Sequence, residues 1–253
     1  MKKTISVVLV LIFSISIATG AILPRKTPPL RDGFVIDGID GKVSSQGDRW
    51  FFQTFDVLAD GKGTLAADTK IEFLPSSTLE KFVSVVSGEN KSFRIWGKFT
   101  KYQNNNYIYL TYYLPVTEPN ISEQTVDVDD PNEEKIIPDD VLAMLSPKRT
   151  INLAELKKPL ANVSDGVVAD RTGFIRKTKN DFYFDFDALG RNIDKLSLPL
   201  LGCEVLDIMA AQQKASAEPL RFKISAIATS YKGKNYLLLQ RATRAYSHGN
   251  FVK

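Results

Sequence analysis

The feature that most constrains the fold of this chain is an internal echo. The segment TKYQNNNYIYLT (100–111) returns as TSYKGKNYLLLQ (229–240), 129 residues later and without a gap. Tyr102 is matched by Tyr231, and Asn106 by Asn235. Apolar residues that alternate on both sides of a short polar turn predict a β-hairpin. Two such hairpins, each with about 100 residues of chain to itself, predict two copies of one small β-rich domain.

The predicted elements that precede each hairpin come in the same order. DGFVIDGIDGKVSS and GVVADRTGFIRKTK are first strands interrupted by glycine, and TKIEFLP and DKLSLPL are third strands that end near a proline. Between them lie the aromatic-rich strands RWFFQTFD (49–56) and NDFYFDFD (180–187), in which Phe52 is matched with Tyr183. The apolar period then lengthens in SSTLEKFVSVV and CEVLDIMAAQQ, which predicts one helix before each hairpin.

Three strands, a helix and two strands is an order that resembles the OB-fold family. The resemblance implies a mainly β chain of two OB-like five-stranded barrels, each with one helix between strands 3 and 4, joined by an acidic linker. One larger antiparallel sandwich built from the same strands is the alternative. The ending YLLLQRATRAYSHGNF (236–251) is also similar to the tail of exported bacterial proteins.

The first 20 residues have the three parts of a secretory signal peptide. Lys2 and Lys3 precede an apolar run that ends in SIATGA, and cleavage is predicted after Gly20. An uncleaved anchor is the alternative, although the run is shorter than the roughly 20 residues that a membrane span needs. The sequence therefore predicts an exported protein, periplasmic or extracellular, with no stable membrane span after cleavage.

The remaining chain divides by composition into two domains and a linker. Residues 22–117 and 148–253 are predicted as OB-like domains 1 and 2, and residues 118–147 as an acidic, Pro-containing linker with a short helix. The linker holds nine acidic residues and one lysine. Residues 148–253 hold 18 basic and 10 acidic residues, a net charge of +8, which favours anionic partners.

A candidate ligand surface lies on the outer face of the first hairpin. If the hairpin turns between Asn104 and Asn105, Phe99 pairs with Leu110 on the core face. The outer face and the turn of the second hairpin then present the predicted ligand-binding residues, which are Arg94, Trp96, Lys98, Tyr107, Tyr109, Tyr113, Lys232 and Lys234. Aromatic rings among cations can stack on bases or sugars while the cations bind phosphates or carboxylates. Packing of the rings under the linker or the second barrel, and lysines that merely keep a turn soluble, are the alternatives.

Several kinds of enzyme chemistry lack their residues in this chain. His248 is the only histidine and Cys203 the only cysteine, so an ordinary zinc site is excluded and a Ser-His-Asp triad is nearly so. No metal and no cofactor are predicted, and Cys203 is expected to be a small buried or helix-entry residue. Asp181, Asp185 and Asp187 alternate along one strand, which fits a solvated face, a calcium site or a carboxylate pair.

These observations predict an exported, non-enzymatic binding or scaffolding module of the cell envelope. Its partner is an envelope protein or an anionic polymer that the sequence does not identify. The alternative function is binding of a polyanion, nucleic acid or acidic glycan, through the aromatic and basic face of domain 1. A carboxylate-dependent hydrolase is the remote alternative.

Overall fold

The computed structural model describes residues 28–86, 92–116, 149–158, 165–179, 181–187 and 195–246. The predicted signal peptide and the predicted acidic linker lie outside the described residues. The chain is mainly β, as predicted: the described residues form twelve strands and two α-helices. None of the helices in the described part of the chain has the length and hydrophobicity needed to cross a membrane.

The first half forms a closed barrel with the strand order β1-β2-β5-β7-β6. Its strands are β1 (Val35–Gln46), β2 (Arg49–Thr54), β5 (Lys70–Phe73), β6 (Ser92–Tyr102) and β7 (Asn105–Pro115). A short hairpin of β3 (Leu58–Ala59) and β4 (Thr64–Leu65) lies between β2 and β5. Inward-facing residues of β6 and β7, among them Phe93, Ile95 and Leu110, are completely buried and form the core.

Helix α1 (Ser77–Val85) lies between β5 and β6 in the chain. Ser76 caps it, since the hydroxyl of Ser76 accepts the N–H of Leu79 at 3.0 Å. Leu79 and Phe82, one turn apart, are buried against the barrel core. The 3.6-residue period of this segment thus places its apolar side chains on one face of the helix, and this face packs against the barrel core.

The second half repeats this order as a five-stranded sheet, β10-β9-β8-β11-β12. Its elements are β8 (Gly166–Lys177), β9 (Phe182–Phe186), β10 (Ser197–Pro199), helix α2 (Glu204–Lys214), β11 (Arg221–Tyr231) and β12 (Lys234–Arg244). A single turn of 3₁₀ helix, Glu155–Lys157, precedes them.

The two halves differ in how the sheet closes. In the first half β5 pairs in parallel with β7 at two positions, and the N–H of Leu74 donates to the carbonyl of Ile108 at 2.8 Å. In the second half the N–H of Leu201 makes the matching bond to Leu237, also at 2.8 Å, but only one isolated bridge accompanies it. Pro199 occupies the end of β10 and has no N–H to donate, so the ladder is shorter there. The prediction of two closed barrels therefore holds for the first half, while the second is an open sheet with a single closing bridge.

Matched core residues of the two hairpins occupy equivalent places in the two halves. Phe93 pairs with Gly41, and Phe222 pairs with Gly173, the corresponding residue of the first strand. The pairing of the two hairpin strands also shifts register at the same place in both halves. The shift lies between Trp96 and Gly97 in the first hairpin and between Ser225 and Ala226 in the second.

The predicted register of the first hairpin is wrong by one to two residues. The turn residues are Gln103 and Asn104, with φ of 48° and 60°, and Phe99 pairs with Ile108 instead of Leu110. Positive φ at both turn residues is the two-residue hairpin geometry that follows strand twist, and asparagine tolerates it. A bulge near Thr111 then shifts the rest of β7, which decides the faces of the tyrosines that follow.

The predicted match between the second strands is also wrong by one residue. Phe52 pairs with Val43, and Phe184 pairs with the corresponding Ile175; both phenylalanines are completely buried. Phe52 therefore corresponds to Phe184, and the outward-facing Phe51 to Tyr183. A slip of one residue moves a strand side chain to the opposite face, so this correction places Tyr183 on the outside of the second sheet.

Candidate functional site

The outer face of the first hairpin holds fewer of the predicted residues than the sequence suggested. Trp96 lies across from Tyr112, not Tyr113, with ring centroids 5.5 Å apart. The indole N–H of Trp96 donates to Asp37 at 3.1 Å. Arg94 forms two hydrogen bonds to Asp40, at 2.7 and 2.8 Å, and these hold the pKa of Asp40 below its ordinary value. Arg94 is thus already balanced by an acid, which weakens its attraction for an anion.

Three of the predicted tyrosines are engaged inside the protein. Tyr109 is completely buried, which overturns its prediction as an exposed ligand contact. Tyr113 turns inward, with its ring 4.7 Å from that of Phe82, and Tyr107 is half-buried against the core of the second half. Lys98 lies 5.7 Å from the Tyr109 ring and donates to Gln240 of the second half at 2.9 Å. The aromatic face is therefore divided between the core and the contact with the second half.

The two halves meet in a reciprocal contact that we call the joint. The N–H of Gln103, at the tip of the first hairpin, donates to Asp207 of α2 at 2.7 Å. The N–H of Lys232, at the tip of the second hairpin, donates to Glu80 of α1 at 3.1 Å. Both acids lie four residues after the N-cap of their helix. Each hairpin tip is thus held by the first turns of the other half's helix.

A buried carboxylate lies at the centre of the joint. Asp165, which is 9% exposed, accepts hydrogen bonds from the hydroxyls of Ser77 at 2.7 Å and Thr229 at 2.5 Å. Tyr109 donates its hydroxyl to the other carboxylate oxygen. Burial and the Asp165 carboxylate together hold the pKa of Tyr109 well above its ordinary value. A buried charge that receives three hydroxyl donors from elements of both halves fixes their relative placement.

Lys232 belongs to the joint as well. Its ammonium group lies 2.7 Å from a carboxylate oxygen of Asp48, in the β1–β2 turn of the first half. This bond raises the pKa of Lys232 and lowers that of Asp48. The role of Lys232 in ligand binding stays a prediction. A bound anion would have to compete with Asp48 for the ammonium group of Lys232.

Lys234 instead lies in a surface groove of about 450 Å³, which we call the lysine cleft. Strands β9 and β10, the β11–β12 turn and the 3₁₀ turn form its walls. Its residues are Leu156, Lys157, Lys158, Tyr183, Lys195, Leu196, Ser197, Leu198, Pro199, Gly233, Lys234 and Asn235. Of these described residues, four are lysines and none is acidic. Within the part of the chain that the structure describes, none of the four lysines has an ion-pair partner.

Asn235 positions two of these lysines. Its buried side-chain amide donates to the carbonyls of Leu156, at 2.9 Å, and Lys158, at 2.7 Å. The side chain of Leu156 is buried in the core of the second half. The 3₁₀ turn is therefore held both by this side chain and by its main-chain carbonyls. Asn106, the matched residue of the first half, similarly holds the main chain of Leu30 at 2.9 Å in both directions. The echoed asparagine therefore docks the segment that precedes the first strand of each half.

Tyr183 supplies the aromatic surface of the lysine cleft. It is half-buried on the outer face of β9, and the guanidinium of Arg176 lies 5.1 Å from its ring centroid. Arg176 in turn forms an ion pair with Asp185 at 2.8 Å. Sequence reasoning missed Tyr183 as a site residue because the strand match was off by one, and it missed Lys157, Lys158 and Lys195 because they lie outside the hairpin echo. The doublet in LKKPL was the available signal.

The corresponding groove of the first half, of about 490 Å³, has a different charge. We call it the first cleft, and its walls include Arg49, Phe51, Lys70, Glu72 and Asn105. Arg49 is bound by both oxygens of Glu72, and this pairing raises the pKa of Arg49. The equivalent positions of the two halves thus offer one groove whose arginine is paired with an acid and one with four lysines that have no ion pair among the described residues.

The remaining candidate residues are Cys203, Asp185 and Asp187, and the packing and ion pairs around them fit structural roles. Cys203 is the N-cap of α2, and burial raises the pKa of its thiol to about 12, which makes it a poor nucleophile. Burial acts to raise the pKa of Asp185, but hydrogen bonds from Arg176 and Ser197 outweigh it and leave the value lowered. Asp187 is likewise paired with Arg221. A general acid needs a raised pKa, so neither carboxylate is prepared for that role. Among the described residues no group of three metal-ligating side chains occurs.

No protein-family model and no curated protein matches this chain. Among solved structures, the p204 HINb domain is 11% identical over 84% of this chain and 98% of its own, with a TM-score of 0.19. The Ifi202 HINa domain, solved in complex with double-stranded DNA, is 11% identical over 83% and 96%, with a TM-score of 0.19. A single-stranded DNA binding protein of Thermus aquaticus is 8% identical over 85% and 92%, with a TM-score of 0.22. Similarity at these TM-scores carries no argument about this chain, whose function must be inferred from its own residues.

Proposed function

We propose that this protein binds an anionic polymer through the lysine cleft of its second half. The observation that carries the proposal is a set of four lysines around one groove, in which the described residues include no acid and give none of the four an ion-pair partner. Elsewhere in the described chain, the arginine of the first cleft, Arg49, is paired with Glu72, and the arginine of the first hairpin face, Arg94, is paired with Asp40. Among the described residues, an anion therefore meets a denser set of cations without ion pairs in the lysine cleft than on those two surfaces.

The position of the cleft supports the same proposal. OB-folds bind oligonucleotides and oligosaccharides on the face of their second and third strands, beside the loop that joins the last two strands. The lysine cleft lies on β9 and β10, the second and third strands of its half, and includes Gly233 and Lys234 of the β11–β12 turn. The argument from position is an analogy at the level of the fold. The four lysines supply the positive charge that binding of an anion requires.

The kind of cation indicates how the polymer is recognised. Lysine presents a compact point charge, whereas arginine presents a planar fork suited to paired hydrogen bonds with one particular group. Four lysines and one half-buried tyrosine favour recognition of charge density along a backbone over recognition of individual bases or sugars. The polymer is a nucleic acid strand or an acidic glycan, which share this property.

The predicted signal peptide sets the compartment in this proposal. An exported protein would meet its polymer in the cell envelope or outside the cell, as a non-enzymatic binding module. Fractionation of cells and N-terminal sequencing of the mature chain test this part. A mature chain that begins at Ala21 in an exported fraction would support it, and a full-length chain in the cytoplasm would contradict it.

The binding experiment uses a fluorescein-labelled oligo-deoxythymidine strand and heparin as separate probes. The test variant replaces the four cleft lysines, Lys157, Lys158, Lys195 and Lys234, with alanine. The matched control replaces four exposed lysines that line neither cleft with alanine, Lys42, Lys62, Lys81 and Lys179, and so changes the net charge equally.

We expect the cleft variant to lose at least about tenfold in affinity and the control much less. Each phosphate that a lysine neutralises contributes about −0.7 to the slope of log K against log salt for a single strand, so the slope should also flatten. Equal losses in the two variants would indicate attraction to net charge alone and would overturn the assignment to the cleft. Absence of binding to both probes would overturn the function.

A further inference from the structure

A second concave surface lies at one end of the joint. It has a volume of about 520 Å³ and opens between the tip of the first hairpin, helix α2 and strands β8 and β9. We call it the joint pocket. Its lining residues are Tyr102, Gln103, Ile175, Lys177, Phe182, Asp207, Ala210, Ala211, Gln213 and Lys214. A volume of a few hundred Å³, with contributions from two domains, is typical of small-molecule sites.

The chemistry of the joint pocket combines apolar walls with two cations. The rings of Tyr102 and Phe182, with Ile175, supply the apolar surface. Lys177 lies 5.6 Å from the ring of Phe182, and Lys214 is exposed on the last turn of α2. Neither lysine has an ion pair within the described residues.

The polar groups on the other side of the joint pocket are already engaged. Asp207 is bound to the N–H of Gln103 at 2.7 Å. Gln213 donates to the carbonyl of Glu218 at 3.0 Å and accepts the N–H of Leu220 at 2.8 Å. The two ammonium groups are therefore the cationic groups that the described lining offers to a ligand.

The other end of the joint shows why the pocket exists on this side. Counted from the helix N-caps, Ala210 of α2 corresponds to Val83 of α1. Tyr231 of the second hairpin is only 7% exposed and packs into the core of the first half, whereas the matched Tyr102 is half-buried. Ala210 is smaller than Val83, and Tyr102 is inserted less deeply than Tyr231. Space therefore remains at the α2 end of the joint, whereas side chains fill the α1 end.

We infer that the joint pocket binds a small organic anion with a planar aromatic body. The body would lie against Tyr102 and Phe182, since aromatic rings favour offset or edge-to-face contact with another ring. The acidic group would lie toward Lys177 and Lys214, the two cations of the lining, and away from Asp207. Because Tyr102 comes from the first half and the other ring from the second, a bound ligand would stabilise the joint.

The probe that tests this inference is 8-anilinonaphthalene-1-sulfonate, titrated by calorimetry into the native protein. We expect saturable binding of one molecule per chain. The variant Ala210→Leu, which fills the pocket with a good helix former, and the double variant Lys177→Ala with Lys214→Ala should each weaken binding at least about tenfold. Lys179→Ala, an exposed lysine outside the lining, is the control and should not change it.

The outcomes separate this inference from the polymer-binding proposal. Equal affinity in the wild type, Ala210→Leu and the double lysine variant would place the probe elsewhere and overturn the inference, as would absence of binding. The variant that lacks the four lysines of the cleft should bind the probe normally. Thermal unfolding of each variant without probe shows whether a loss of binding reflects a loss of fold, and a second filling variant, Ala211→Leu, replaces Ala210→Leu if that chain does not fold.

Discussion

Gln103 and Asp207 join the first hairpin to the helix of the second half through one hydrogen bond of 2.7 Å. The bond between Lys232 and Glu80 repeats this relationship with the halves exchanged. The joint is thus built twice from one set of positions, in the way that two identical subunits meet about a two-fold axis. Its centre is buried and polar, so separation of the halves would exchange these internal hydrogen bonds for hydrogen bonds to water.

The first prediction concerns the carboxylate at the centre of the joint. Replacement Asp165→Ala leaves the hydroxyls of Ser77, Thr229 and Tyr109 without their acceptor in a buried site. Each buried donor without a partner costs about 1–3 kcal/mol, and the costs are not additive, so we expect a loss of about 2–5 kcal/mol in the free energy of unfolding. Urea unfolding followed by tryptophan fluorescence measures it. Asp40→Ala, which breaks an exposed pair, serves as the control and should cost about 1 kcal/mol or less.

The second prediction concerns stability at alkaline pH. The pKa of Tyr109 is raised in the folded chain, first by burial and then by Asp165, while in the unfolded chain it is near 10. A raised folded-state value means that the stabilisation is complete below about pH 10 and declines as the pH rises beyond it, with a slope of about 1.4 kcal/mol per pH unit. Tyr109→Phe should remove this part of the slope. Stability measured between pH 8 and 11 tests it, with the half-buried Tyr113→Phe for comparison; identical slopes in wild type and Tyr109→Phe would contradict the prediction.

Much of the fold follows from apolar periodicity, which is a local property of the chain. The alternation of Phe93, Ile95 and Phe99 in one half, and of Phe222 and Ile224 in the other, places buried side chains on one face of a strand. Because a barrel core requires that face to point inward, the mainly β class and the order of elements could be predicted. The matching of Phe93 with Phe222 held for the same reason.

The faces of individual tyrosines and the site itself could not be predicted in this way. Two turn residues with positive φ and a bulge near Thr111 displaced the register, and one residue of displacement exchanges the faces of a strand. Tyr109 therefore lies buried in the joint and not on the outer face of the hairpin. Lys157 and Lys158 reach the lysine cleft because Asn235, 77 to 79 residues away, binds the carbonyls around them. Periodicity carries no information about a side-chain contact of that range.

The third prediction concerns the reactivity of Cys203. The thiol is completely buried, and burial raises its pKa to about 12, so the reactive thiolate is scarce at neutral pH. In the native protein at pH 8 we expect the thiol reagent 5,5′-dithiobis(2-nitrobenzoic acid) to react at least about a hundredfold more slowly than in the protein unfolded by guanidinium, where the thiol pKa returns to about 8.5. Release of nitrothiobenzoate measures both rates. A rapid native reaction would show that the N-terminus of α2 opens far more often than its packing suggests.

The last prediction tests the contrast between the two clefts. Glu72 neutralises Arg49 in the first cleft, at the position that corresponds to the lysine cleft of the second half. Replacement Glu72→Gln keeps the shape of the side chain and frees the Arg49 guanidinium for a bound anion. We expect tighter binding of the oligo-deoxythymidine strand, by about two- to fivefold at low salt, with a steeper dependence on salt by up to about one unit. Asp68→Asn is the matched control, because it removes the same charge from an exposed turn outside the cleft, at a residue whose φ of 60° asparagine tolerates. If both variants gain affinity equally, the effect is one of net charge; a gain confined to Glu72→Gln means that the first cleft is a second binding groove held silent by its own ion pair.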